Sequence, residues 1–174
     1  MTKIVVVYSG GMDSFTLINF ALKQDHEVSA ISFDYGQKHR KELDSARDFC
    51  KSRSISLEVS NISGIKPLLK GSALTDNIEV PRGHYEDQTM KMTVVPNRNM
   101  IMISLSIAYA ISIDFEEVWY GAHSGDHSIY PDCRPEFLES VNKTSKLANY
   151  ESIEIRAPFI NLSKSEILSK GLGM

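Results

Sequence analysis

The stretch Lys3-Ile4-Val5-Val6-Val7-Tyr8-Ser9-Gly10-Gly11-Met12-Asp13-Ser14 decides the fold. An apolar run of strand length, Ile4 to Tyr8, turns through two glycines into an amphipathic helix pattern. Such a join presents backbone N–H groups and the positive end of the helix dipole to an anion. Gly10 and Gly11 accept backbone angles that strain other residues, and they let a phosphate approach the main chain. Ser9 and Ser14 add hydroxyl donors, and Phe15, Ile18, Ala21 and Leu22 are the expected buried face of the helix. The loop is not a Walker A motif, because the G-x-x-x-x-G-K-[ST] spacing and its lysine are absent. Asp13 would repel a phosphate unless it serves the helix N-terminus or holds a divalent cation that bridges to phosphate.

Outward from this loop, strand and helix patterns alternate. Strands are predicted over 3–8, 27–33, 55–59, 117–121 and 153–155, and helices over 14–24, 38–52, 99–112, 135–147 and 163–170. In the second helix Leu43, Ala46, Phe49 and Cys50 share one face. This alternation predicts a doubly wound, mostly parallel five-stranded sheet with helices on both faces. Ligands in such sheets bind at the carboxyl ends of the strands, after Tyr8, Phe33 and Gly121. Residues 71–97 resist any periodic reading and are the expected active-site loop of a single domain spanning 1–174.

Composition narrows the class. With 19 basic and 22 acidic residues the net charge is −3, and no basic tract points to nucleic acid. Two cysteines, Cys50 and Cys133, make neither a disulfide framework nor a four-cysteine zinc site. Ile4 to Tyr8 is too short for a signal-peptide core, and Met100 to Ile113 is broken by serines and too short to span a membrane. A cytoplasmic chain with no membrane partner is expected.

Polar clusters follow the strands. Asp34-Tyr35-Gly36-Gln37-Lys38-His39-Arg40 closes the second strand and places cations at a helix start, where they oppose the dipole unless an anion is near. Pro96-Asn97-Arg98-Asn99 opens the most apolar helix, with Asn97 or Asn99 as a candidate cap and Arg98 able to bind a carboxylate or phosphate bidentately. His123, Asp126 and His127, then Tyr130, Asp132, Cys133 and Arg134, follow the fourth strand. Their spacing matches no helical metal motif and reads better as a substrate-recognition loop. Arg134 and a helix start beside Cys133 would lower its pKa. Ser163 and Glu166 form a capping box, and Lys164 in that first turn is unfavourable without an anion such as the phosphates of ATP.

The hexapeptide Ser9–Ser14 resembles the SGGxDS loop of the PP-loop ATP pyrophosphatase superfamily, whose members activate a substrate oxygen as an adenylate. Five ordered motifs together resemble the 7-cyano-7-deazaguanine synthase family: SGGMDS, FDYGQKHRKE, VPRGHY leading to TVVPNRN, GAHSGDH leading to YPDCRPEF, and APF leading to LSKSEI. The resemblance implies conversion of 7-carboxy-7-deazaguanine and ammonia to the nitrile, with ATP and Mg²⁺. The route runs through an adenylated carboxylate, an amide and a second ATP-driven activation. Ser9, Gly10, Gly11, Met12, Asp13, Ser14, Phe33, Asp34 and Lys164 would meet the nucleotide, with Asp13 as a Mg²⁺ contact. Tyr35, Gln37, His39, Arg98, His123, Asp126, His127, Tyr130, Asp132, Cys133 and Arg134 would meet the deazapurine. Asp13, Ser14, Arg98 and Lys164 are the expected catalytic set. The family's C-terminal four-cysteine zinc cluster has no counterpart in these residues, which read as either a truncated or a shortened form, and a homodimer is the assembly to test. A tRNA thiolase would need a sulfur-carrying cysteine and a basic surface, neither of which is evident. A non-catalytic nucleotide- or deazaguanine-binding module is the third reading.

Overall fold

The computed structural model describes residues 1–36, 41–69 and 94–174. Five strands, β1 (Lys3–Val7), β2 (Glu27–Asp34), β3 (Ser56–Asn61), β4 (Glu117–Trp119) and β5 (Glu154–Arg156), form one parallel sheet in the order β3-β2-β1-β4-β5. Helices α1 (Met12–Lys23), α2 (Lys41–Ser52), α3 (Arg98–Ser112), α4 (Pro135–Ala148) and α5 (Lys164–Leu172) flank it. The sheet is fully parallel, where the sequence predicts mostly parallel pairing.

Period-two alternation in β1 splits the core. Val5 joins Ile31, Phe33, Ile103, Val118 and Ile155 under α3 and α4. Ile4, Val6 and Tyr8 join Leu17, Ile18, Ala46 and Ile167 under α1, α2 and α5. Strands buried on both faces need apolar side chains at successive positions, which is why Ile4-Val5-Val6-Val7 carries no polar residue. The chain winds outward from β1 to β3, then returns to the other side of β1 to lay down β4. Right-handed crossovers made in opposite directions put their helices on opposite faces, which explains the placement of α1 and α2 against α3 and α4. The reversal creates a switch point between β1 and β4, where the loops leaving both strands diverge and open a crevice.

The expected buried face of α1 is corrected at two positions. Ile18 and Ala21 are buried, but Leu22 is only half-buried, with Leu17 fully buried in the core, and Phe15 is 44% exposed and meets Phe49 edge-on, with ring centroids 4.9 Å apart. The small Ser14 and Thr16 occupy the inner side instead, so the large ring is turned toward α2. Gln37, His39 and most of the 71–97 segment lie outside the described residues. Among the described residues no helix is long and apolar enough to cross a membrane.

Candidate active site

The loop after β1 is held by its serines. Ser14 Oγ donates to the Gly11 carbonyl at 3.0 Å and accepts from the Ser9 amide at 3.2 Å, while Ser9 Oγ accepts from the Gly11 amide at 3.3 Å. Ser14 is only 7% exposed, so its hydroxyl is committed to the loop rather than offered to a ligand. Gly11 is the N-cap of α1 and no side chain caps the helix, which leaves first-turn amides facing the crevice as anion donors. Gly10 has φ +86°, and a Cβ there would lie 2.1 Å from the Glu42 carbonyl oxygen. Its lack of a side chain serves the contact with α2, whereas Gly11 lines the cavity.

Asp13 lies at the centre of this end. Its Oδ2 is 3.9 Å from Lys164 Nζ and 3.8 Å from His123 Nε2, while its Oδ1 is buried without a hydrogen-bond partner among the described residues. Lys164 arrives because the Ser163–Glu166 capping box, expected from the sequence, starts α5 at that residue. The loop after β4 is tied to the same turn, with the amide and the hydroxyl of Ser124 both donating to the Leu162 carbonyl. His123 is 2% exposed, and its Nδ1 accepts from the Gly125 amide at 3.1 Å. The ring proton is therefore on Nε2, directed between Asp13 and Asp126, whose Oδ2 is 3.5 Å away.

The other end of the crevice is built under α3. Neither Asn97 nor Asn99 caps that helix. Asn97 sits at the N-cap in a left-handed conformation without a side-chain bond. The Asp132 carboxylate, arriving from the turn at Pro131–Cys133, accepts from the Asn99 amide at 3.0 Å. Arg98 is half-buried. Burial opposes its charge, but Tyr35 (which also hydrogen-bonds it), Asp132 and Cys133 more than offset this and raise its pKa. Burial pushes the Cys133 thiol up to about 12, helped by Asp126 and Asp132 and opposed by Arg98 and Asn99. The expected lowering by Arg134 does not occur, because Arg134 is exposed and its Nε donates to the His127 carbonyl.

These groups enclose a cavity of about 500 Å³. Of the residues singled out from sequence, Ser9, Gly11, Met12, Asp13, Ser14, Phe33, Tyr35, Arg98, Asp126, Tyr130, Cys133 and Lys164 line it. Gly10, Asp34, His123, His127, Asp132 and Arg134 do not line it. Asp34 Oδ1, for example, accepts from the Gly36 amide and shapes the turn after β2. Met102 and Tyr120 line the cavity without having been signalled by a motif, and Glu42, which also lines it, ends the FDYGQKHRKE motif without having been singled out as a site residue. Tyr120 could have been found by its place at the carboxyl end of β4, where polar residues face ligands.

Burial also pushes the Cys50 thiol up to about 11. Both cysteines are thus protonated in the folded protein at neutral pH, and iodoacetamide at pH 8 should label neither until the chain unfolds. Mass spectrometry of native and denatured samples checks this, and native labelling would contradict the burial. The two raised values keep their full stabilising effect below the unfolded thiol pKa of about 8.5. That effect is lost as pH rises through about 11 and about 12, because the unfolded thiols ionise first.

The family model described as "Queuosine biosynthesis protein QueC" matches residues 3–174. The chain belongs to the QueC family. Among its relatives is 7-cyano-7-deazaguanine synthase 1 of Colwellia psychrerythraea (strain 34H), 58% identical over 172 residues, covering 99% of this chain and 79% of the relative. A solved structure titled as a predicted subunit of tRNA methyltransferase from Methanocaldococcus jannaschii superposes with a TM-score of 0.63 at 13% identity, covering 99% of this chain and 75% of that one. A 4-thiouridine synthetase solved with RNA and bound ATP gives 0.65 at 18% identity, covering 99% of this chain and 40% of that one. At such identities the likeness shows the fold alone, a parallel sheet flanked by helices. The QueC loop Ser9–Ser14 occupies the switch point of that fold.

Proposed function

We propose that this chain converts 7-carboxy-7-deazaguanine and ammonia to 7-cyano-7-deazaguanine at the expense of ATP. Membership of the QueC family and relatives named for that product support the reading. The geometric observation that carries it is one cavity lined by the loop after β1, by Lys164 and by a half-buried, cationic Arg98. A carboxylate at the Arg98 end would be held within the same enclosure as the α-phosphate. We place the reaction in the cytoplasm, with free ammonia as the nitrogen donor.

A carboxylate is a poor electrophile, since ammonia cannot expel oxide from it. Attack of a carboxylate oxygen on the α-phosphorus releases pyrophosphate, and ammonia then displaces AMP to leave the primary amide. Adenylation of the amide oxygen by a second ATP, followed by loss of AMP and the remaining amide protons, leaves the nitrile. The first-turn amides of α1 and Lys164 Nζ face the pyrophosphate and stabilise its growing charge. Arg98 fixes the carboxylate, and the enclosing walls keep water from the adenylate.

Mg²⁺ fits this arrangement. Asp13 offers a buried oxygen without a partner among the described residues, and a cation held there would take its other ligands from phosphate and water. Bound there, it would neutralise the leaving pyrophosphate. Zinc does not fit the described residues, where no three His, Cys, Asp or Glu side chains are grouped to hold a metal. Cys50 and Cys133 lie in the two separate cores, on opposite faces of the sheet.

Incubation with ATP, ammonium and 7-carboxy-7-deazaguanine, read by mass spectrometry, tests the function. Nitrile and AMP are expected, and ATP turnover without nitrile would overturn the reaction. The two ends are separable. Lys164→Ala should raise the KM for ATP roughly ten-fold, less than a fully buried contact would because the lysine is half-exposed. Arg98→Lys should instead raise the KM for the deazapurine acid, because an ammonium does not reproduce the bidentate fork. Equal changes in both constants in both variants would show that the ends are assigned wrongly.

A further inference from the structure

We infer that Tyr120 is a substrate-binding residue whose hydroxyl donates a hydrogen bond to the ring carbonyl of the deazaguanine at the β4 end of the cavity. The inference rests on the function proposed above and names the contact that would read the heterocycle.

Tyr120 directly follows β4, and its amide donates to the Arg156 carbonyl at 3.0 Å, which pins the backbone to the strand on its other side. The ring packs into the core beneath α3 and α4, beside Ala122 and Cys133, and is 4% exposed. It nevertheless forms part of the cavity wall. Its oxygen is buried and has no hydrogen-bond partner among the described residues. Buried hydroxyls almost always find a partner, so an unpartnered one on a cavity wall is an unfilled ligand contact. Burial, with Cys133 and Asp132 nearby, raises the phenol pKa, so the group stays a neutral donor at any physiological pH.

Asn99 Nδ2, a neighbouring donor, is already engaged with Cys133 Sγ at 3.2 Å, and Arg98 is assigned to the carboxylate rather than to the ring. The position also selects the ligand. The phosphate loop runs from β1 into α1, and Phe33 at the end of β2 offers a wall for the nucleoside, on the far side of β1 from Tyr120. The β4 side is left for the second substrate, and a guanine-type ring presents a carbonyl oxygen there.

Tyr120→Phe removes only the oxygen and tests the inference. Binding of 7-carboxy-7-deazaguanine without ATP, measured by calorimetry, should weaken roughly 10- to 100-fold, since a site built to hydrogen-bond is left with an unmatched ligand atom. The KM for ATP should stay within about two-fold, and the melting temperature of the free protein should hold or rise, because an unsatisfied buried hydroxyl has been removed. Unchanged binding of the deazapurine overturns the inference. So does a rise in the KM for ATP alone, or a lower melting temperature with both ligands weakened, which would mean a structural hydroxyl. Wild-type protein that binds the deazapurine but forms no nitrile would defeat the reaction and leave this contact standing. Wild-type protein that does not bind it defeats both.

Discussion

Asp13→Ala is expected to lower nitrile formation by roughly 10²- to 10³-fold, the usual loss when one preorganised charge contact at a transition state is removed. The carboxylate faces Lys164 and His123 through Oδ2, and its buried Oδ1 has no hydrogen-bond partner among the described residues. Under the proposed function, a cation and phosphates would complete that arrangement. The melting temperature of the variant without ligands should therefore change little, while stabilisation by ATP with Mg²⁺ should shrink. Asp13→Asn is the sharper comparison, because it keeps the shape and removes the charge. If the Asn variant retained turnover within a few-fold across a Mg²⁺ titration, cation bridging at Asp13 would be abandoned. Ser14→Ala should behave differently from Asp13→Ala. Its hydroxyl joins both halves of the loop internally, so stability and activity should fall together.

Gly10→Ala should be the most damaging substitution to the fold. The residue has φ +86°, and the added Cβ would lie 2.1 Å from the Glu42 carbonyl oxygen and 2.9 Å from its carbon. Both atoms are backbone, so no side chain can rotate away and α2 itself must move. Left-handed strain and overpacking together come to roughly 3–5 kcal/mol. In a chain of this size that lowers the melting temperature by roughly 10 °C. Gly11→Ala is the control, because Gly11 has φ −79° and its nearest contact would be Ser9 Oγ at 3.4 Å. It should fold nearly as well as the wild type while binding ATP more weakly, since Gly11 lines the cavity and Gly10 does not. Equal melting temperatures for the two variants, measured by calorimetry, would refute this division of labour.

Local pattern carried much of this structure. The continuous apolar run of β1 requires a strand covered on both faces, and the 3.6-residue spacing in α2 places Leu43, Ala46 and Cys50 inward. The Ser163–Glu166 box starts α5 where its spacing predicts. Each of these signals acts within one turn or one pleat, so a linear chain displays it. The loop between β1 and α1 belongs to the same class, because a strand, two glycines and a helix start are contiguous.

Other features exist only once distant segments meet. The order β3-β2-β1-β4-β5 sets β4 beside β1 and so brings His123 and Lys164 to Asp13. Asp132 caps α3 in place of the local asparagines because the Pro131–Cys133 turn packs against that helix end. Gly10 is required by the backbone of α2, and the Cys133 pKa rises because the fold buries a thiol that an adjacent arginine would otherwise have acidified. Tyr120 looked like one more strand residue until the cavity wall formed around it. The sequence alone determined which segments are strands and helices and where the β1–α1 turn lies, since those depend on neighbours in the chain. Which side chains share the cavity was decided by tertiary structure, since burial and contact depend on neighbours in space.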